Sequence, residues 1–112
     1  MAAHLHHATA ELFRALGHPV RIRVLDLLQD GPRPGHQLLA EVGIDASSLS
    51  HQLAVLRRCG IVRSSREGST VLYALSSLAV GELVRLAGDT LASTADERAM
   101  MVTDGRRGTA GA

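Results

Sequence analysis

The segment DASSLSHQLAVLRRCGIV, residues 45–62, decides the fold of this chain. Three leucines in it recur at helical spacing and form one narrow apolar stripe that must face a protein core: Leu49, Leu53 and Leu56. Asp45 or Ser47 can cap the start of this helix, and Gly60 is suited to the left-handed position that ends one. The segment therefore predicts an amphipathic helix with one side free to contact another molecule.

The free side of this helix carries short polar side chains that suit a DNA major groove. Hydroxyl, amide and imidazole groups form hydrogen bonds with base edges, and small side chains let the helix approach closely. The residues predicted to read bases are Ser47, Ser48, Ser50, His51 and Gln52. An ordinary surface helix would show the same pattern. The flanking segments favour the DNA-binding interpretation. An apolar helix precedes this helix and a basic hairpin follows it, as in a winged helix-turn-helix.

Charge is nearly balanced over the whole chain but not within it. The net charge is +1, and all 12 basic residues are arginine. A GC-rich genome is enough to explain this use of arginine. Four arginines cluster with no acidic residue between them and are predicted to position DNA phosphates: Arg57, Arg58, Arg63 and Arg66. The local cluster therefore indicates nucleic-acid binding more than the overall charge does.

Helical and strand periodicities predict a mostly α fold with a small β-hairpin (α+β). Four helices precede the hairpin, which turns at residues 67–69, and one helix follows Ser77. We expect residues 1–7 to form a flexible arm, 8–101 to form the domain and 102–112 to be a disordered tail. Residues 30–35 form a cluster of helix breakers between the second and third helices.

Cysteine content and hydropathy predict a soluble, cytoplasmic protein. Cys59 is the only cysteine, and no signal peptide or long apolar run is visible. Nearby arginines would favour its thiolate and an oxidant-sensing role, but its position on the flank of the apolar stripe favours a packed thiol. Because no nucleophile, base and orienting group can be assembled from these residues, an enzyme is not expected.

Three stretches together resemble the ArsR/SmtB family of bacterial winged helix-turn-helix regulators: ALGHPVRIRVLDLL, SLSHQLAVLRRCGIV and REGSTVLYAL. The resemblance runs from about Leu12 to Leu75. It implies a homodimer formed through the first and last helices, binding to a palindromic operator as a repressor, and release when a metal or an oxidant binds. The family's usual sensing positions are not matched, because this chain has Pro34, Gly35 and His36 at one site and Ser77, Ala79, Thr90 and Ser93 at the other.

The remaining candidates for metal binding are His4, His6 and His7. Imidazoles bind Ni(II), Zn(II) and Cu(II), and a flexible arm could bring them to carboxylates on a partner subunit's last helix. If Met1 is removed, Ala2, Ala3 and His4 could also supply a square-planar set of four nitrogens, which suits Ni(II) or Cu(II). A solvated arm without a ligand is the alternative.

Two other functions remain open at the level of sequence. The chain could be a regulatory or metal-trafficking subunit that acts through a partner protein, because its overall charge is nearly neutral and the inherited sensing residues are missing. It could also be a thiol-based redox sensor that uses Cys59. We expect His18, at a helix start, and His36 to be structural or surface groups.

Overall fold

A computed structural model describes the backbone of residues 2–108 and the side chains of residues 2–99. Its elements follow the predicted order, with one added strand and one added turn of 3-10 helix at Leu28–Asp30. They are α1 (Ala3–Leu16), α2 (Pro19–Leu27), β1 (Arg33–Pro34), α3 (Gly35–Val42), α4 (Ala46–Arg58), β2 (Val62–Glu67), β3 (Thr70–Leu75) and α5 (Leu78–Gly108). The predicted mostly α fold with a β-hairpin is confirmed.

The core is aliphatic and is built around α2 and α4. The stripe of α4 is buried as predicted. The other buried apolar residues come from the remaining helices, the 3-10 turn and the start of the hairpin: Ala15, Leu16, Val24, Leu25, Leu28, Leu38, Ile61, Val62 and Val84. Full burial of one such side chain stabilises the fold by about 1.5–3 kcal/mol. The stripe of α4 therefore fixes which side of that helix faces outward.

Local backbone chemistry sets the ends of the helices around α4. Gly43, at φ 75°, takes the left-handed position that ends α3, and Gly60, at φ 74°, does the same just after α4. His18 caps α2 by accepting a hydrogen bond from the backbone N–H of Val20 at its Nδ1 (3.1 Å). The structural role expected for His18 is thus confirmed.

The sheet has three antiparallel strands in the order β1-β3-β2. The hairpin pairs Val62 with Leu75 at its base and Glu67 with Thr70 at its tip. Strand β1 pairs with β3 inside the segment that was expected to be only a breaker cluster. Pro34 is tolerated there because β1 lies at the edge of the sheet, where a missing N–H removes no ladder bond.

Both ends of the chain differ from the sequence expectation. The expectation that residues 1–7 form a flexible arm is wrong. Helix α1 begins at Ala3, and the N–H groups of Leu5 and His6 donate hydrogen bonds to the carbonyl oxygen of Ala2. Alanines and Leu5 supply helix propensity that outweighs the histidines. At the other end α5 continues to Gly108, so 102–108 are helical, and the rest of the expected tail, 109–112, lies outside the described residues.

An apolar cleft of about 410 Å³ lies where α1, α2 and α5 meet. Large apolar side chains stand exposed around it, including Phe13 at 55% and Leu86 at 56% of their full accessibility. Gly81, near the start of α5, is buried, and a Cβ there would lie 3.2 Å from the side chain of Leu75. Helix α5 therefore packs closely on β3 while its apolar side above α1 is open.

Within the described chain, no helix is both long and apolar enough to cross a membrane.

Candidate nucleic-acid interface

Asp45 organises the N-terminal end of α4. Its carboxylate accepts hydrogen bonds from the backbone N–H of Ser48 (3.0 Å), the hydroxyl of Ser48 (2.6 Å) and the hydroxyl of Ser47 (2.7 Å). The hydrogen bonds from Ser48 and Ser47 lower the pKa of Asp45 to about 2. Asp45, rather than Ser47, is therefore the cap. Because both hydroxyl protons point to Asp45, Ser47 and Ser48 present acceptor lone pairs to any approaching base.

Four of the five predicted base-reading residues are exposed on one side of α4, which we call the reading face: Ser47, Ser48, Ser50 and His51. Within the part of the chain that the structure describes, the side chains of Ser50 and His51 have no hydrogen-bond partner. They lie opposite or beside the buried stripe, so they can enter a groove without any rearrangement of the core. This face offers acceptors at its N-terminal end and mixed donors and acceptors further along.

Gln52 differs from the sequence expectation. It is half-buried, and its Oε1 accepts a hydrogen bond from Nε of Arg21 at 2.7 Å. The reason is its position about 60° around the helix from Leu49, which turns it toward α2 and away from the reading face. Sequence periodicity placed Gln52 on a flank of the apolar stripe. It could not show that Arg21, 31 residues away in the sequence, would donate a hydrogen bond to the Gln52 side chain.

The predicted phosphate-positioning arginines divide into two groups. Arg57 Nη1 donates to the hydroxyl of Ser64 at 3.3 Å, which ties the last turn of α4 to the hairpin. Arg66 is exposed near the hairpin tip and, by strand alternation, shares the face of Ser64. Arg58 is exposed on the last turn of α4. Arg58 therefore lies on the last turn of α4, and Arg57 and Arg66 lie toward the Ser64 face of the hairpin.

Arg63 lies on the other side of the hairpin. It pairs with Ala74 at the base of the sheet and lines a separate cleft of about 330 Å³ with Gln29, Pro32 and the residues at the start of α5. Alternation along β2 turns Arg63 to the face opposite Ser64. The structure therefore does not bring Arg63 together with the other predicted phosphate contacts.

The three N-terminal histidines do not converge. In a helix, His4, His7 and Glu11 lie within about 60° of one another, whereas His6 points away from them. His7 Nε2 is 3.9 Å from a carboxylate oxygen of Glu11, and the pKa of Glu11 is lowered by the hydrogen bond and charge of Arg14. Across the residues with described side chains, no three His, Cys, Asp or Glu groups are placed to hold a metal ion.

The square-planar nitrogen set considered for Ala2, Ala3 and His4 stays a prediction, because it requires removal of Met1. Such a set needs the backbone nitrogens and the imidazole in one plane, whereas Ala3 and His4 have helical backbone.

Cys59 is exposed, so the expectation of a packed thiol is wrong. It lies at the C-cap, beyond the last buried leucine of the stripe, where the chain leaves the helix. His36 is exposed, which agrees with a surface role.

The comparison with known proteins agrees with this geometry. Residues 18–64 match the model of the bacterial regulatory protein arsR family. Over 105 residues, the chain is 39% identical to Rv0081, an HTH-type transcriptional regulator of Mycobacterium tuberculosis, with 93% of this chain and 92% of that protein aligned. The chain belongs to the arsR family. This arsR-family protein is therefore a DNA-binding transcriptional regulator and not an enzyme.

Solved structures and another relative extend the comparison. The crystal structure of Rv0081 superposes with a TM-score of 0.80 at 38% identity, covering 88% of this chain and 99% of that one. The homodimeric winged helix-turn-helix domain of Mb0332 from Mycobacterium bovis gives 0.77 at 26% identity, covering 85% and 88%. A probable mercury resistance operon repressor of Streptomyces lividans is 34% identical over 79 residues, covering 70% of this chain and 63% of that protein.

The cap of α4 predicts a specific acid response. Because folding lowers the pKa of Asp45 from 3.8 to about 2, the stabilisation from its ionised form is present above about pH 4 and is lost as the pH falls toward 2. We expect Asp45→Asn, which keeps an acceptor at the cap, to abolish this contribution. The difference in the free energy of unfolding between wild type and variant, measured by urea titration from pH 5 to pH 2, should shrink as the pH falls. A constant difference across this range would contradict the assignment.

Proposed function

We propose that this regulator is a sequence-specific transcriptional repressor that binds a palindromic operator as a homodimer. The observation that carries the proposal is the orientation of α4, whose leucine stripe is buried while the reading face is exposed beside the Arg66 side of the hairpin. Two such helices related by a two-fold axis would enter successive major grooves about 34 Å apart. Repression is supported by the name of the Streptomyces lividans relative, a probable mercury resistance operon repressor.

The proposal assigns different tasks to the two parts of the surface. Ser47, Ser48, Ser50 and His51 read base edges, since their side chains are exposed on α4. Arg57, Arg58 and Arg66 bind phosphates and set the register of the protein on DNA. We leave Gln52 and Arg63 out of this assignment, because one is bound to Arg21 and the other lines a cleft behind the hairpin.

The division of tasks can be tested on a duplex that the wild-type protein selects from a random library. We expect His51→Ala or Ser50→Ala to weaken binding to that duplex by about 1–3 kcal/mol and to relax preference at particular positions. We expect Arg66→Ala to weaken selected and random duplexes alike and to reduce the salt slope by about one. Arg63→Ala, on the same strand, is the matched control and should change neither quantity. Equal losses on selected and random DNA for both classes of variant would refute the assignment.

A failure of the wild-type protein to select any duplex would have a different meaning. It would indicate that DNA recognition needs a second protein, the partner-dependent alternative. Gel-shift assays with the purified chain at moderate salt are sufficient to separate the two outcomes, because non-specific binding falls steeply with salt whereas base readout does not.

The homodimer in this proposal forms through α1 and α5. Support comes from the open apolar cleft between these helices, from the exposed side chains of Phe13 and Leu86 at its rim, and from the homodimeric state of the Mb0332 domain. An exposed apolar area of this kind is typical of an interface between subunits. Because α5 is long and continues past the domain body, it can contact the partner along its length.

Charged substitutions in this cleft should separate the subunits. We expect Phe13→Glu or Leu86→Glu to give a monomer in sedimentation experiments at micromolar concentration, with a wild-type circular dichroism spectrum, because burial of a carboxylate at an apolar interface is costly. Leu78→Glu, at a position 87% exposed and outside the cleft, is the control and should leave the dimer intact. A wild-type protein that sediments as a monomer would count against the proposal.

We further propose that a transition metal, with Ni(II) as the first candidate and Zn(II) or Cu(II) as alternatives, weakens operator binding through α1. His4 and His7 lie about 60° apart on one face of α1, and imidazoles suit such ions, whereas the neighbouring Glu11 is paired with Arg14. Because α1 alone does not place three such groups around one ion, the remaining ligands would come from the partner subunit or from water. The Streptomyces lividans relative, named for mercury resistance, supports a metal response in general and not this choice of ion.

Substitutions of the histidines in the first turns of α1 test the metal proposal. We expect His4→Ala combined with His7→Ala to abolish the effect of Ni(II) on operator affinity, while His6→Ala keeps it, because His6 points away from the other two. The measurement is the operator dissociation constant with and without each metal. If the metal response is the same in all variants, or if only His6→Ala removes it, this ligand set is wrong.

A further inference from the structure

A hydrogen-bonded bridge joins the recognition helix α4 to both helices at the start of the chain. From α2, Arg21 donates through Nε to Oε1 of Gln52 at 2.7 Å and through Nη1 to the carbonyl oxygen of Ala15 at 3.1 Å. Ala15 is buried in the last turn of α1, and both Arg21 and Gln52 are half-buried. Since hydrogen bonds from a charged donor are about twice as strong as neutral ones, one planar guanidinium links α1, α2 and α4 firmly.

This bridge occupies the side-chain oxygen of Gln52, one of the two groups with which a glutamine would read a base. A glutamine that reads adenine needs its oxygen as acceptor and its amide as donor, and here the oxygen is held by Arg21. The amide nitrogen lies 3.5 Å from Nε2 of His18 but forms no hydrogen bond with the neutral ring, because Nδ1 accepts from Val20 and Nε2 is then also a donor. Turning Gln52 toward a base would therefore leave the half-buried Arg21 without its acceptor, which is costly.

The bridge restricts rotation of α4 about its axis, and small rotations of this helix displace the side chains of the reading face. Side chains on a helix extend about 5–6 Å from its axis, so a rotation of about 10° moves their tips by about 1 Å. Hydrogen bonds to bases tolerate only a few tenths of an ångström. The leucine stripe alone limits rotation loosely, because apolar contacts are not directional. A directional bond at Gln52, one turn from Ser48 and beside His51, restricts the same rotation more sharply.

We propose that Arg21 is a positioning residue for DNA recognition, which fixes the rotation of α4 against α1 and α2 by holding Gln52, and that Gln52 serves this contact instead of reading a base. The inference rests on the proposed reading of DNA by α4. It also gives the cleft of α1 and α5 a direct connection to the reading face. Ala15 lies beside Leu16, which lines that cleft, so a shift of α1 reaches α4 through Arg21.

A double-mutant cycle on the selected duplex tests the inference. Arg21→Lys keeps the charge but supplies one nitrogen where two are needed, and Gln52→Leu removes the acceptor. We expect each to weaken binding to the selected duplex about tenfold, to leave random duplexes within about twofold, and the double variant to be no weaker than either single variant. Arg23→Lys is the matched control, because Arg23 lies on the same helix and donates to the carbonyl oxygen of Glu41 at an exposed site.

Gln52→Glu separates positioning from base reading. It keeps an oxygen for Arg21, so the proposal expects it to select the same sequence as the wild type. A changed preference at one base pair for Gln52→Glu or Gln52→Leu would overturn the proposal, since it would show direct reading. Losses that multiply in the double variant, or wild-type binding by Arg21→Lys, would overturn it as well.

A measurement without DNA distinguishes failure of this inference from failure of the proposed function. In ¹⁵N spectra of the free protein, the Nε–H of Arg21 should exchange slowly with water, and Gln52→Leu should abolish this protection while Arg23→Lys preserves it. If the wild type selects a duplex but this protection is absent, only the positioning role fails. If no duplex is selected, the proposed function fails and the role of Arg21 in DNA recognition falls with it.

Discussion

The burial of three leucines on one side of α4 is the constraint on which the rest of the structure depends. Each buried leucine contributes about 1.5–3 kcal/mol, and the stability of a whole domain is about 5–15 kcal/mol. Helix α4 therefore cannot turn its stripe outward without unfolding the domain. The exposed positions of Ser50 and His51 follow directly, because they lie on the remaining arc of the same helix.

The ends of α4 convert this orientation into a surface. Asp45 holds the first turn and takes the hydroxyl protons of Ser47 and Ser48, so this end offers acceptors. At the other end Gly60 reverses the chain, and Ile61 and Val62 are buried immediately afterwards. The base of the hairpin is thereby fixed to the same core as the helix. Arg66 lies on the same face of β2 as Val62 and Ser64, because side chains alternate along a strand.

Sequence periodicity was sufficient for the elements that bury a regular apolar stripe or strand. Helices α2 and α4 and the hairpin follow from it, as do the exposed serines and His51. It failed where helix propensity, a sheet edge or the exact end of a helix decides. The start of α1 depends on helix propensity in a histidine-rich segment, and β1 exists because its neighbour β3 has a free edge. The exposure of Cys59 depends on where the chain leaves α4, which periodicity does not locate to one residue.

Gln52 and Arg63 show the limit of assigning polar residues to DNA from helix and strand position alone. Both are polar and near the expected interface, yet Gln52 is bound to a residue from α2 and Arg63 lies behind the hairpin. A contact between residues so far apart in sequence leaves no periodic signal, and a single strand position decides which face an arginine occupies. Their identities were visible in the sequence, but their partners were not.

The near-neutral charge of the chain makes this internal placement important for function. With a net charge of +1, the protein as a whole attracts DNA weakly, and in the proposed interface only Arg57, Arg58 and Arg66 bind phosphates. Fewer phosphate contacts mean less non-specific affinity, so contacts to bases must supply a larger share of operator binding. Such contacts depend on the orientation of α4 to within about an ångström, whereas phosphate attraction does not. Under the proposed assignment, a regulator of this charge therefore gains more from a rigid connection between α1, α2 and α4 than a strongly basic one would.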